Sequence, residues 1–302
     1  MKKSGIVLMM TLILITVMMG IVSLILLQSE KLLRLGNTGF SQSSTLRIIN
    51  DLEQQLPSLL SSITGAEELD LAMRLPLQLE TKKGDFILKA TLTSPYNRLN
   101  INRLMSSDGN ISKPHVALMM KIFTEHPIAD PDMLLNLVFD TIDSDRVERA
   151  KDTEIADSSP DFKNGSIANK EQFNLILARY IKITHDTAVL SLPWKNYIGY
   201  KGEKMDLNAV NAQTLALILP ATSPEQIRAL TQYRTKAFIT KEEAISAQSA
   251  LAPVFDTYFF IYQPNTSYDL LCDVRINENS REEHLKFHYN LLDKKVQHLE
   301  FL

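Results

Sequence analysis

The chain has 302 residues, which points to two domains or to one domain with a large insertion. Its formal net charge of −3, with no block of like charge, argues against nucleic acid or an anionic membrane surface as a partner. The single cysteine, Cys272, excludes an internal disulfide framework and any multi-cysteine zinc site.

The first stretch reads MKKSGIVLMMTLILITVMMG, and no charged side chain occurs from Ser4 through Ser29. A helix rising about 1.5 Å per residue covers, over that run, more than the roughly 30 Å of a bilayer core. A secretory signal would carry a shorter apolar core and a small-x-small cleavage site. This run ends LILLQSEKLL and has no such site. The pattern predicts a transmembrane helix, and Lys2 and Lys3 place its N-terminus in the cytoplasm by the positive-inside rule. Leu46, Ile49, Leu52, Leu56 and Leu59 then recur at helical spacing. One long helix is therefore expected from about Ile6 to about Ile63, bent at Gly36 and Gly39, half in lipid and half packed on a domain beyond it.

Strand signals follow. In DFILKATLT, Phe86, Leu88, Ala90 and Leu92 alternate with Ile87, Lys89, Thr91 and Thr93, and LPLQLE before KKGD supplies a hairpin partner. From about Asn110 to Ser249 the pattern is mostly helical, with loops rich in Pro, Asp and Asn. Strands return at the end. Tyr268, Leu270, Cys272, Val274 and Ile276 share one face, as do Leu285, Phe287, Tyr289 and Leu291, and VQHLEFL closes the chain. Strand edges need partners. The expected fold is thus α+β: one antiparallel sheet, covered by the long first helix and interrupted by a large, mainly helical insertion.

The leader and the order of segments carry a resemblance. Lys2-Lys3-Ser4-Gly5 directly before Ile6 is similar to the short basic leader of pilin-like precursors. NRLNINRL (97–104), DTIDSD (140–145), KNGSIANKEQFNLI (163–176), MDLNAVNAQTLALIL (205–219) and IRALTQYRTKAFITKEEA (227–244) then follow in the order found in K-type minor pseudopilins. These are components of bacterial type II secretion systems, and the chain resembles that family over nearly its whole length. Most pilin-like proteins carry glutamate as the fifth residue after the leader. Here that position is Met10, and K-type proteins are distinctive for lacking the acid. DTIDSD departs from the family's form by a threonine, Thr141, in place of tryptophan.

The resemblance implies a prepilin leader at 1–5, cleaved between Gly5 and Ile6 with N-methylation of Ile6. It implies a transmembrane helix at 6–28, a pilin-like domain at 29–104, an inserted helical domain at 105–250, and returning strands at 251–302. It further implies a non-enzymatic protein of the inner membrane, with its bulk in the periplasm, at the tip of a pseudopilus. The implied partners are I-, J- and H-type minor pseudopilins, the major pseudopilin and exported proteins. A minor pilin of a type IV pilus or DNA-uptake machine, and a single-pass membrane protein with a periplasmic enzymatic domain, are the alternatives.

The best metal candidates are Asp140, Asp143 and Asp145, with Glu148, Asp152, Glu154 and Asp157 nearby. Such oxygens suit Ca²⁺, and family members hold Ca²⁺ in this region. The spacing is not an EF-hand, because the sixth position would be Glu148 rather than glycine. A solvated acidic helix end and loop is the other reading. The 205–244 stretch has the outline of a helix-hairpin-helix, but LPATSPEQ offers no glycine amides and the segment is charge-balanced, so packing is expected there rather than DNA binding. Cys272 reads as a buried small hydrophobe, His284 and His288 as exposed strand residues, and Trp194 as a core or loop anchor.

Overall fold

The computed structural model describes residues 63, 65–80, 86–106, 108–143, 145–232, 240–263, 265–278 and 281–301. The expected leader, the expected span at 6–28 and the amphipathic helix after it lie outside the described residues. Among the described residues no helix is long and apolar enough to cross a membrane. The chain divides into two compact units, Met1–Thr93 with Gln263–Leu302, and Ser94–Tyr262.

The first unit is built on a five-stranded antiparallel sheet. Helix α1 (Ala66–Arg74) precedes β1 (Leu77–Glu80) and β2 (Phe86–Thr93), and β3 (Asp269–Glu278), β4 (Arg281–Asn290) and β5 (Lys295–Phe301) complete it. The strands lie in the order β1-β2-β3-β4-β5. Register explains the alternation in the sequence: Leu92 faces Cys272, which faces Phe287, and Ala90 faces Val274, which faces Leu285. All six are buried, with Tyr268, Leu270, Ile276 and Tyr289 beside them. One row over, Thr91, Asp273 and Lys286 share the opposite face. The turn into β5 is held by Asn290, whose side-chain oxygen accepts from the amides of Leu292 (3.0 Å) and Asp293 (2.9 Å).

Two of the sequence expectations need correction here. His284 and His288 are half-buried rather than exposed. His284 lies 2.9 Å from the Asp273 carboxylate across the strand pair, which holds its ring down on the sheet. Cys272 is the buried hydrophobe expected, and burial pushes its thiol up to about 12.

The second unit is mainly helical. Its longer helices are α2 (Lys113–Glu125), α3 (Pro131–Ile142), α4 (Lys170–Thr184), α5 (Ala212–Ile218), α6 (Pro224–Gln232) and α7 (Lys241–Ala247). Their starts follow the side chains before them. Asp130, Asn169 and Asn211 each accept from the third amide of the following helix, and Thr240 with Glu243 forms a capping box. Phe173, Ile176, Leu177 and Tyr180 on α4 bury one stripe against Leu134, Leu137 and Val138 from α3. Trp194 anchors this core: its ring meets Phe173 and Phe123 edge-on, at 5.2 and 6.3 Å, and its indole N–H donates to the Val189 carbonyl. Residues 249–262 complete the unit, and Phe259 buries its ring there as Met205–Asp206 and Phe259–Phe260 pair as a short parallel bridge.

Asparagines brace distant segments of this unit. The Asn102 side chain both donates to the Ile167 carbonyl (2.9 Å) and accepts from its amide (2.7 Å). Asn100 donates to the Gly202 carbonyl at 2.7 Å and Asn211 to the Asn196 carbonyl at 2.6 Å. Gly202 has φ +83, and a Cβ there would stand 2.4 Å from the Tyr96 ring. Only glycine satisfies both conditions.

Candidate cation site in the 140–164 loop

The last turn of α3 carries Asp140 and Thr141, both buried. The Thr141 hydroxyl bonds back to the Leu137 carbonyl at 2.7 Å, and its own carbonyl accepts the Gly165 amide at 2.6 Å. These contacts draw the 163–167 loop against the end of the helix. Between them the chain makes an excursion over 143–154 and returns through a short helical turn, Ile155–Ser158.

Asp140 has a side chain with no exposed surface, yet it is fully partnered. It accepts from the Arg149 amide (3.0 Å), the Arg149 guanidinium (2.6 Å) and the Thr153 hydroxyl (2.5 Å). The same guanidinium nitrogen also bonds Asp143. Arg149 is therefore a bridge between two carboxylates, the charge-assisted arrangement that fixes a loop most firmly. Burial works against the Arg149 charge, but the bonds to Asp140 and Asp143 outweigh it and hold its pKa above the usual value. Burial raises the Asp143 pKa, with Arg149 pulling the other way. Asp143 Oδ1 is buried and has no hydrogen-bond partner.

A second buried carboxylate occurs further along the loop. The Glu154 carboxylate belongs to a residue only 1% exposed. Its partners are neutral: the Ala156 amide (3.1 Å) and the Asn164 amide nitrogen, 2.9 and 3.0 Å from its two oxygens. That same nitrogen donates to the Asp145 carbonyl at 3.0 Å, and Asn164 Oδ1 is buried without a partner. Among the described residues no lysine, arginine or histidine pairs with Glu154. A buried carboxylate without a counter-ion is costly. Three oxygens, two from Glu154 and one from Asp145, thus converge on a single donor position. That position is filled by the Asn164 side-chain nitrogen, and the three oxygens around it are of the hard type that Ca²⁺ prefers.

The remaining sequence candidates are spread out. The Asp145 side chain accepts from the Val147 amide (2.8 Å), closing its own turn. Glu148 is exposed. Asp152 takes a left-handed φ of 68 and pairs with Arg179 at 3.5 Å. Among the described residues, no three His, Cys, Asp or Glu side chains converge closely enough to hold a metal by themselves. Any ion here would need carbonyl and amide oxygens as well. Asn164, Arg149 and Thr153 were not legible as site residues in the sequence. Asn164 sits in KNGSIANK, where the adjacent glycine, Gly165 at φ +127, was the available signal.

No family profile matches the chain, and no curated protein matches it either. Among solved structures, a chain of the complex described as "The Crystal Structure of the GspK-GspI-GspJ complex from enterotoxigenic Escherichia coli Type 2 Secretion System" is similar, with a TM-score of 0.56 and 12% identity. The likeness covers 86% of this chain and 99% of that one. At that identity it concerns the fold: this chain has a GspK-like fold, an α+β arrangement of helices and an antiparallel sheet.

Proposed function

We propose that this chain is a minor pseudopilin of a type II protein secretion system, a non-enzymatic subunit that assembles with other pseudopilins at the tip of a periplasmic pseudopilus. The observation that carries the reading is the extent of the fold likeness, 86% of one chain and 99% of the other. The sequence supports it from the other end. A short basic stub ends at Gly5, the apolar run starts at Ile6, and Met10 stands where most pilin-like subunits have glutamate. In this reading 1–5 is a leader, 6–28 an inner-membrane span, and the rest a pilin-type domain with its insertion in the periplasm. A carboxylate in hydrocarbon needs a partner. A subunit with none ahead of it has no use for one, which suits a tip position.

The proposed partners are I- and J-type minor pseudopilins first, then H-type and major pseudopilins and exported proteins. The full-length protein, extracted in detergent from cells co-expressing I- and J-type proteins, should co-purify with both. Recovery alone under those conditions would overturn the reading.

Calcium belongs to the same proposal. Glu154, Asp143 through Oδ1, Asp145 through its carbonyl and Asn164 would hold it. Asp140 is committed to Arg149, and Glu148 and Asp152 lie apart. When bound, the ion supplies the positive charge that Glu154 lacks and ties the helix end to the 163–167 loop.

A further inference from the structure

We infer that Asn164–Gly165 is a deamidation site gated by closure of the 163–167 loop on α3, and that the reaction, once it has run, keeps the loop from closing again. This is the chain's one Asn-Gly dipeptide. Glycine leaves its own amide nitrogen open to attack the preceding side chain, because no Cβ screens it. The Gly165 nitrogen bonds to Asn164 Cγ, the Cγ–Nδ2 bond breaks, and the departing ammonia carries off the Gly165 amide proton. Water then opens the five-membered imide to aspartate or isoaspartate.

The closed loop blocks each part of this step. The attacking Gly165 amide donates to the Thr141 carbonyl at 2.6 Å. The leaving nitrogen, Asn164 Nδ2, is held by the two Glu154 oxygens at 2.9 and 3.0 Å and by the Asp145 carbonyl at 3.0 Å. Asn164 Oδ1, where negative charge would develop, is buried and has no donor. Phe162 and Ile167, both buried, pin the segment on either side, and the Asn102 side chain accepts from the Ile167 amide at 2.7 Å. Reaction therefore requires local opening of the loop. The product does not fit back. An aspartate at 164 sets an oxygen against both Glu154 oxygens and the Asp145 carbonyl, and two ionised carboxylates at such a separation repel strongly in a buried site. The side chain that ties the loop down becomes a charge that holds it off.

The test is peptide mass spectrometry of full-length protein in detergent, held in mildly alkaline buffer with a chelator, which makes the result independent of the calcium reading. Residues 164–170, released by trypsin, should turn to the acid form at least about tenfold more slowly in the native protein than in urea. Asn102→Ala, with its fold checked by circular dichroism, unpins Ile167 without touching Asn164. It should raise the native rate at least about threefold and leave the rate in urea unchanged. Asn164→Asp, the product itself, should melt below wild type and below Asn164→Ala, which loses the same donors without adding a charge. Equal native and urea rates in the wild type, or a folded Asn102→Ala variant that reacts no faster than wild type, would overturn the gating. An Asn164→Asp protein that melts with or above Asn164→Ala would overturn the one-way step.

Discussion

His115 supplies the sharpest test of the helical unit. It is 8% exposed, with Nδ1 2.7 Å from the Ser112 hydroxyl and its ring edge-on to Tyr258 at 5.5 Å. Burial, and then the Arg103 charge, lower its pKa from 6.5 to about 4. The neutral ring is thus favoured in the folded state. Its contribution is fully present above pH 6.5 and is lost as pH falls toward about 4. A shift from 6.5 to about 4 at 1.36 kcal/mol per unit amounts to about 3 kcal/mol over the whole window. About 2 kcal/mol of that falls between pH 7 and pH 5. His115→Asn keeps an acceptor for Ser112 but has no proton to gain. Urea unfolding followed by the fluorescence of Trp194, the one tryptophan, reports the unit that also contains His115. With a urea slope of about 2 kcal/mol/M, the wild-type midpoint should fall between pH 7 and pH 5 by about 1 M more than that of the variant. Parallel pH profiles for the two proteins would refute the argument.

Four further outcomes are expected. N-terminal sequencing of membrane-extracted protein should begin at Ile6, and a start at Met1 or beyond Ser23 would remove the pilin-like reading. Millimolar Ca²⁺ should raise the melting temperature of the full-length protein, and Glu154→Gln should abolish that shift; an equal shift with Mg²⁺ in the wild type would count against the site. Gly202→Ala should lower stability by about 1–3 kcal/mol in the Trp194 assay, since it meets both a left-handed φ and the Tyr96 ring; a neutral result would mean that the 200–204 turn shifts freely. The Cys272 thiol should resist iodoacetamide in the native protein and react once urea opens the sheet, whereas prompt native labelling would contradict its burial.

The sheet was legible in the sequence because a period of two is a local signal. Tyr268, Leu270, Cys272, Val274 and Ile276 each gave their own position away, and all are buried. The helical block was legible for the same reason, through stripes such as Phe173, Ile176, Leu177 and Tyr180. The candidate site was not. What Asp140 does depends on Arg149 nine residues on, and what Asn102 does depends on Ile167, 65 residues away. An acidic residue beside a helix end reads alike whether a guanidinium, an ion or water faces it.

The pairing of β2 with β3 also fixes an order of events during synthesis. Thr93 and its register partner Leu271 are separated by 178 residues of chain. The hairpin β1–β2 is made early, and a two-stranded hairpin alone is marginal in water. The helices of the intervening unit rest on local contacts and can collapse first, which shortens the loop that β2 and β3 must close. Until β3 arrives, the backbone edge of β2 stands open to any other extended chain. A nascent or truncated protein ending before Gln263 should therefore carry folded helices beside an unclosed hairpin, the form in which this chain would be most prone to aggregate and most in need of a chaperone.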